Sequence, residues 1–416
     1  VDGLSEIDHV ETLVIQDNDA LLELDGLQGL KTIDKALTIS GNKTLESIAG
    51  LKNVASTLSG DLILTYNDAL LTLTGLQGID ETQKLTVTGN KMLSNLSGLA
   101  LNKVASVIRV SGNDSLSTVL GLESLTKLHW ELYIEDNPQL LHIDALSNVV
   151  GTTGSRIRIV NNPKLENIDG LSGITKINTE LYLADLPKLE NLEGVANVSQ
   201  IEGQLTIQKC NSLTDLSDMQ ALTSAGAMRI QYNTGLIQLG FPQYGDEIDG
   251  SLYIVSNTNL ESISSLSLVE EIQGGLSIGK NHALPTLTGL DKVQELGGIL
   301  HIFDNGSLED LTGLGSLEKV SSQMTISQNG ELKTLLGLGK LSSVGGNLTI
   351  EQNPSLIHFD SLEGLKSVAG GLDIGENDDL TNINGLSKLT SLGNTIYVDN
   401  NAELENVDGL SGLTGN

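Results

Sequence analysis

Leu348-Thr349-Ile350-Glu351-Gln352-Asn353 is the stretch that decides the fold. Apolar and polar residues alternate over its first four positions, the pattern of a half-buried strand, and an Asn follows three residues after the second aliphatic. The same pattern begins at Leu13, Leu37, Leu62, Leu85, Ile108, Leu132, Ile157, Leu181, Leu205, Met228, Leu252, Leu276, Leu300, Met324, Leu348, Leu372 and Ile396. The steps between these seventeen starts are 23, 24 or 25 residues, and the last seven are all 24. A period of this length marks a solenoid, in which one repeat cannot bury its apolar face alone and stacked repeats bury a continuous core. The expectation is an all-β parallel solenoid of about 17 coils of ~24 residues, with little helix, running as a single domain over residues 1–416.

The rest of the repeat agrees. The Asn position is filled by Asn18, Asn42, Asn67, Asn90, Asn113, Asn137, Asn162, Asn233, Asn257, Asn281, Asn305, Asn329, Asn353, Asn377 and Asn401, and fails only at Leu186 and Cys210. A bend at a strand end leaves backbone groups unpaired, and an inward amide has both donors and an acceptor to satisfy them, so the column reads as a structural ladder. Asn42, Asn113 and Asn305 also stand in Asn-x-Ser/Thr sequons; the ladder reading removes them as glycan acceptors and leaves Asn95, Asn197 and Asn347 open. Leu follows the ladder position by three residues in all seventeen coils. A Gly-Leu pair such as Gly26-Leu27 or Gly289-Leu290 then marks a turn-like second half.

Composition narrows the function classes. Lys and Arg number 23 against 53 Asp and Glu, a formal charge of −30, which repels phosphate backbones and anionic lipid, so neither nucleic acid nor membrane insertion is expected. Only 3% of residues are aromatic, which suits a narrow aliphatic interior. The single cysteine, Cys210, forms no internal disulfide and, at an inward position, reads as a buried inert thiol. Val1-Asp2-Gly3-Leu4 matches Val407-Asp408-Gly409-Leu410, and the chain stops in mid-repeat at Gly415-Asn416, which reads as a piece of a longer protein.

The repeat resembles a known family. Asn347-Leu348-Thr349-Ile350-Glu351-Gln352-Asn353-Pro354-Ser355-Leu356, continued by Leu362-Glu363-Gly364-Leu365-Lys366-Ser367-Val368, is similar to the repeats of receptor L domains, relatives of leucine-rich repeats. The resemblance covers essentially the whole chain. It implies a right-handed parallel β-helix and an extracellular or cell-surface location, of the microbial surface-protein type because the receptors' flanking disulfides are absent. It implies no catalytic residues.

Function is sought where the columns depart from the rule. The outward residue between the two strand aliphatics reads Arg109, Tyr133, Arg158, Tyr182 in four successive coils, and later Arg229, Tyr253. The only other arginine, Arg156, lies one residue upstream of its strand, between Glu131 and Glu180 in the adjacent coils. In an in-register stack, Glu131–Arg156–Glu180 forms an ion-pair ladder and Tyr133–Arg158–Tyr182 a cation–π sandwich. The same residues also form a strip able to stack on sugar rings and grip acidic groups. Both ladder failures fall in this region, and coils over 181–250 are irregular: after Leu239 the expected Gly-Leu becomes Phe241-Pro242-Gln243-Tyr244, read as a loop with exposed aromatics.

The expected function is therefore non-enzymatic: an adhesin or recognition module. It would bind a polysaccharide, glycan or surface protein on its sheet face through Arg109, Tyr133, Arg156, Arg158, Tyr182, Arg229, Tyr253, Phe241 and Tyr244. The alternatives are a self-associating stalk or filament segment, a polysaccharide-cleaving enzyme using carboxylates among Glu131, Glu135 and Glu180, and an ice-binding Thr array. No cofactor is expected: the six histidines show no metal-ligand spacing. Asp17-Asn18-Asp19 and Glu376-Asn377-Asp378-Asp379 are acidic turns with, at most, loose calcium binding.

Overall fold

The computed structural model describes residues 6–242 and 244–413; the Val1-Asp2-Gly3-Leu4 and Gly415-Asn416 segments and Gln243 lie outside the described residues. The chain is an all-β parallel solenoid of about 16 turns of about 24 residues. It divides into two compact units, residues 1–202 and 203–416, the boundary falling within the strand Gln200–Gln208. No α-helix occurs among the described residues; the second half of most coils carries a 3-10 turn such as Asp169–Leu171 or Asp360–Leu362.

In the first unit the repeat strands include Leu85–Thr88, Val107–Ser111, Glu131–Glu135, Arg156–Val160 and Glu180–Ala184, each paired in parallel with the next. In the second unit Leu252–Val255 pairs with Leu276–Gly279, and so on to Ile396–Asp399. Register places like on like. Leu252 faces Leu276, which faces Leu300, then Met324, Leu348, Leu372 and Ile396. The period-2 pattern sets this choice: a slip by one residue would turn every aliphatic outward. Leu348 and Ile350 are fully buried, and Thr349 and Glu351 are half-buried. A second row of two-residue strands, from Glu247–Ile248 to Ser391–Leu392, stacks in parallel on another side of the second unit. Between these rows the Gly of the 3-10 turn lets coils approach: a Cβ at Gly194 or Gly385 would overlap the carbonyl of Ile168 or Phe359 in the coil before.

The corner after each repeat strand turns on one residue. The position just before the ladder has positive φ in every coil: Gly41, Gly89 and Gly112 at 64–69°, and fourteen non-glycine residues, among them Asp136, Tyr232 and Gln352, at 51–60°. The left-handed region costs an L-residue about 1–2 kcal/mol. Hydrogen bonds offset that cost. The N–H of the left-handed residue donates to the last strand carbonyl of the next coil, as from Tyr66 to Thr88 (2.8 Å) and from Asp304 to Ser327 (3.0 Å). The ladder Asn completes the corner. Asn233 donates from its backbone N and its Nδ2 to Asn257 Oδ1 (3.0 and 3.1 Å), and Asn257 Nδ2 donates back to the Ile230 carbonyl (2.8 Å). The interior ladder asparagines are fully buried, including the sequon residues Asn42, Asn113 and Asn305; Asn18 and Asn401 are more accessible.

Both ladder failures remain inside the core. Leu186 is fully buried and offers no acceptor to Asn162 of the preceding coil. Cys210 keeps part of the pattern: its N–H donates to Asn233 Oδ1 (2.9 Å), and its thiol points at the Gln208 carbonyl (3.6 Å), two residues back, as Asn42 Nδ2 does to Ser40. Replacing Asn257 by Ala orphans the Asn233 donors and the Ile230 carbonyl, each a buried polar group worth about 1–3 kcal/mol. Asn257→Ala is therefore expected to lower the unfolding free energy by at least ~3 kcal/mol in urea titration. A loss below ~1 kcal/mol would contradict the ladder's role.

Candidate functional site: the arginine–tyrosine columns

The first unit brings Arg109, Tyr133, Arg156, Arg158 and Tyr182 together on one sheet face. They come from four strands in exact register: Arg109 faces Tyr133, Tyr133 faces Arg158, Arg158 faces Tyr182, and Arg156 faces Glu180. Strand alternation points all of them away from the core, and the roughly 4.8 Å strand spacing puts each within reach of the next.

The contacts close on themselves. Arg109 Nη1 lies 2.7 Å from Glu135 Oε2, and Arg158 Nε donates to the other oxygen of Glu135 at 3.3 Å. Arg156 Nε lies 2.8 Å from Glu180 Oε2 and its Nη1 lies 3.6 Å from Glu131 Oε1. The Tyr133 hydroxyl donates to Glu131 Oε2 (2.8 Å) and accepts from Arg156 Nη1 (3.4 Å). That hydrogen bond from Arg156 to Tyr133 is the main reason its guanidinium is held above its ordinary pKa. Three arginines thus meet three glutamates, so this patch is neutral on a chain of charge −30.

The expected Glu131–Arg156–Glu180 ladder is present, but the Tyr133–Arg158–Tyr182 sandwich is not. Each guanidinium covers only the tyrosine one coil onward: Arg109 over Tyr133 at 4.0 Å, Arg158 over Tyr182 at 4.1 Å and, in the second unit, Arg229 over Tyr253 at 4.1 Å. The other side of Arg158 is taken by its ion pair with Glu135, a partner the column pattern did not point to. Arg229 differs, donating from Nε to Gln204 Oε1 (3.1 Å), whose amide donates in turn to Thr206 Oγ1 (2.6 Å). Outward does not mean open along this column: Tyr133 is 9% exposed, and Thr206 and Ser277 are buried, because side chains one strand apart cover one another. Further along it, His301 stacks on Phe303 (4.1 Å, 18°), and burial lowers its pKa.

Phe241 and Tyr244 do not belong to a binding loop. They are 3% and 1% exposed, packed against each other at 5.7 Å, and Tyr244 is among the largest fully buried side chains. Its hydroxyl accepts the N–H of the buried Ala225 (3.1 Å), and burial pushes its pKa far up. Where a small alanine fills a core position, the tyrosine ring supplies the missing volume. The break in the repeat is a core repair, not an exposed recognition element.

Among the described residues no group of three or more His, Cys, Asp and Glu is disposed to hold a metal ion, and no helix is long and apolar enough to cross a membrane. No family model and no curated protein matches the chain. Among solved structures, the chain is similar to the LRR protein LIC12759 of Leptospira interrogans, at 15% identity and a TM-score of 0.31, over 93% of this chain and 91% of that one. It is also similar to TLR13 in a complex with ssRNA13, at 14% identity and a TM-score of 0.22, over 99% and 77%. Scores this low transfer neither function nor site residues.

The burial of Tyr244 makes a direct prediction. Tyr244→Phe leaves the Ala225 N–H without its acceptor and is expected to cost about 1–2 kcal/mol, whereas Tyr244→Ala opens a cavity and costs about 3–5 kcal/mol. A neutral Tyr244→Ala in thermal or urea unfolding would restore the exposed-loop reading.

Proposed function

We propose that the chain is a non-enzymatic, surface-exposed recognition module of the receptor L-domain type, which contacts a glycan through its parallel-sheet face. The observation that supports this reading most is the closed grid of Arg109, Tyr133, Arg156, Arg158 and Tyr182 with Glu131, Glu135 and Glu180. Side chains held in place by ion pairs and stacking lose little freedom when a ligand arrives, which removes a main cost of binding. The outer faces of the guanidinium planes, each backed by a tyrosine ring, are surfaces on which sugar rings stack, and the guanidinium edges add donors in a fixed geometry.

The neutrality of the grid shifts the expected ligand. An arginine cluster without counter-charges would favour an anion; here each arginine already faces a glutamate, so a neutral, hydroxyl-rich ligand fits better. The same pairing weighs against catalysis. Hydrolysis of a glycoside needs two carboxyl groups free to act as acid and as base or nucleophile. Glu131, Glu135 and Glu180 are each engaged by an arginine.

Binding of the wild type to a glycan array, compared with an Arg109→Ala/Arg158→Ala variant of unchanged circular dichroism, tests the reading. Retention on the array is expected to fall at least about tenfold in the variant, the scale of two lost contacts of ~0.7 kcal/mol or more each. Equal retention by both proteins would remove the sheet face as the contact surface.

A further inference from the structure

A second surface, in the first unit, has the form of a binding groove; it runs from the first coil to Ser111 and Gly112, where it reaches the Glu135 end of the arginine grid. It has a volume of about 950 Å³ and follows the corner of the first five coils, lined by the left-handed residues Asp17, Gly41, Tyr66, Gly89 and Gly112 and the strand-end hydroxyls of Ser40, Thr88 and Ser111. That volume is within the range of small-molecule sites.

The glycines are the informative feature. All seventeen coils place this residue at positive φ, and fourteen do so with a side chain, so the backbone does not demand glycine here. Glycine nevertheless occupies the position in three coils, and all three adjoin or nearly adjoin Tyr66. What glycine supplies is room. A Cβ at Gly89 would meet the Tyr66 ring at 2.5 Å, and one at Gly112 would meet nothing nearer than the Gly89 backbone at 3.8 Å. The Tyr66 ring is thus propped on Gly89 with the rest of it open to solvent, 60% exposed, beside an empty floor at Gly112. Its backbone is fixed by the N–H bond to the Thr88 carbonyl.

The polar lining is also set. Lys43 pairs with Asp19 (3.1 Å) and Lys91 with Asp68 (2.8 Å), while Ser40 and Thr65 hydroxyls bond each other (2.8 Å). Thr88 Oγ1, in the wall, has no partner among the described residues. Asp17, Asp19 and Asp68 against Lys43 and Lys91 leave one net negative charge, which disfavours an anionic ligand.

We propose that this groove is a saccharide-binding site for a linear neutral oligosaccharide, with a sugar ring stacked on Tyr66, where it covers Gly89, and the chain running on over the open floor at Gly112. An exposed aromatic plane beside fixed hydroxyls and ion-paired carboxylates is the chemistry that recognises a ring with one apolar face and a hydroxyl rim. The Tyr66 platform lies in a different coil from every grid residue, so the proposal stands whether or not the grid binds a glycan.

Isothermal titration of the full chain with cellohexaose, mannohexaose and chitohexaose, with a heparin hexasaccharide as the anionic control, tests the proposal. At least one neutral hexasaccharide is expected to bind. Its affinity should fall tenfold or more in Tyr66→Ala and in Gly112→Gln, survive in Tyr66→Phe, and stay unchanged in Lys333→Ala, an exposed position in the second unit outside both surfaces. Gly112→Gln should fold, because Gln328 and Gln352 hold the same backbone conformation in later coils. No binding of any neutral hexasaccharide would overturn the proposal. So would binding that ignores both groove variants, or tighter binding of the heparin fragment alone. Loss in Arg158→Ala with silent groove variants would assign the ligand to the sheet face instead.

Discussion

The structure depends on one corner, repeated. Each coil leaves its main strand through a left-handed residue, and the next side chain, almost always Asn, turns inward to bond the coils on either side. Neither half stands alone. Fourteen non-glycine residues at positive φ are unfavourable, and a column of buried amides is costly unless every donor and acceptor finds its mate. Stacked in register they satisfy each other: the bend presents the Asn to its neighbours, and the Asn bonds fix the bend.

Register is what converts this local device into surfaces. Because like residues stack on like, an outward position becomes a column roughly 4.8 Å apart, close enough for any side chain to feel the same position in the next coil. Repeated charge of one sign would be unfavourable there, and the arginine region avoids it by interleaving Glu131, Glu135 and Glu180. The corner column follows the same rule with a different outcome. There three glycines withhold their side chains around Tyr66, and a groove opens where other coils carry Asp, Lys, Gln or Glu.

Much of this was legible in the sequence. The Leu-x-Ile-x-x-Asn period set the strand, its register and the ladder, and register alone predicted that Arg156 would meet Glu131 and Glu180. Other parts were not. Side chains lean along the strand, so Arg158 covers Tyr182 and turns its other side to Glu135, a direction that spacing does not carry. Phe241 and Tyr244 follow a break in the pattern and read as an exposed loop; nothing in the repeat says that Ala225 leaves room for a ring. The left-handed column left almost no sign, since most of its residues are not glycine. Its three glycines stand out only against the other fourteen residues, which show that the backbone does not need them.

Amide hydrogen exchange, read residue by residue, tests the corner most directly. The backbone N–H of each ladder Asn whose neighbour in the next coil is also Asn, such as Asn257 bonded to Asn281 Oδ1 at 3.1 Å, should exchange as slowly as the strand amides of Leu252–Val255. Asn162, which faces Leu186, should exchange faster than these. Ladder amides that exchange at the rate of exposed turns, or an Asn162 as protected as Asn257, would contradict the claim that the amide column holds the coils together.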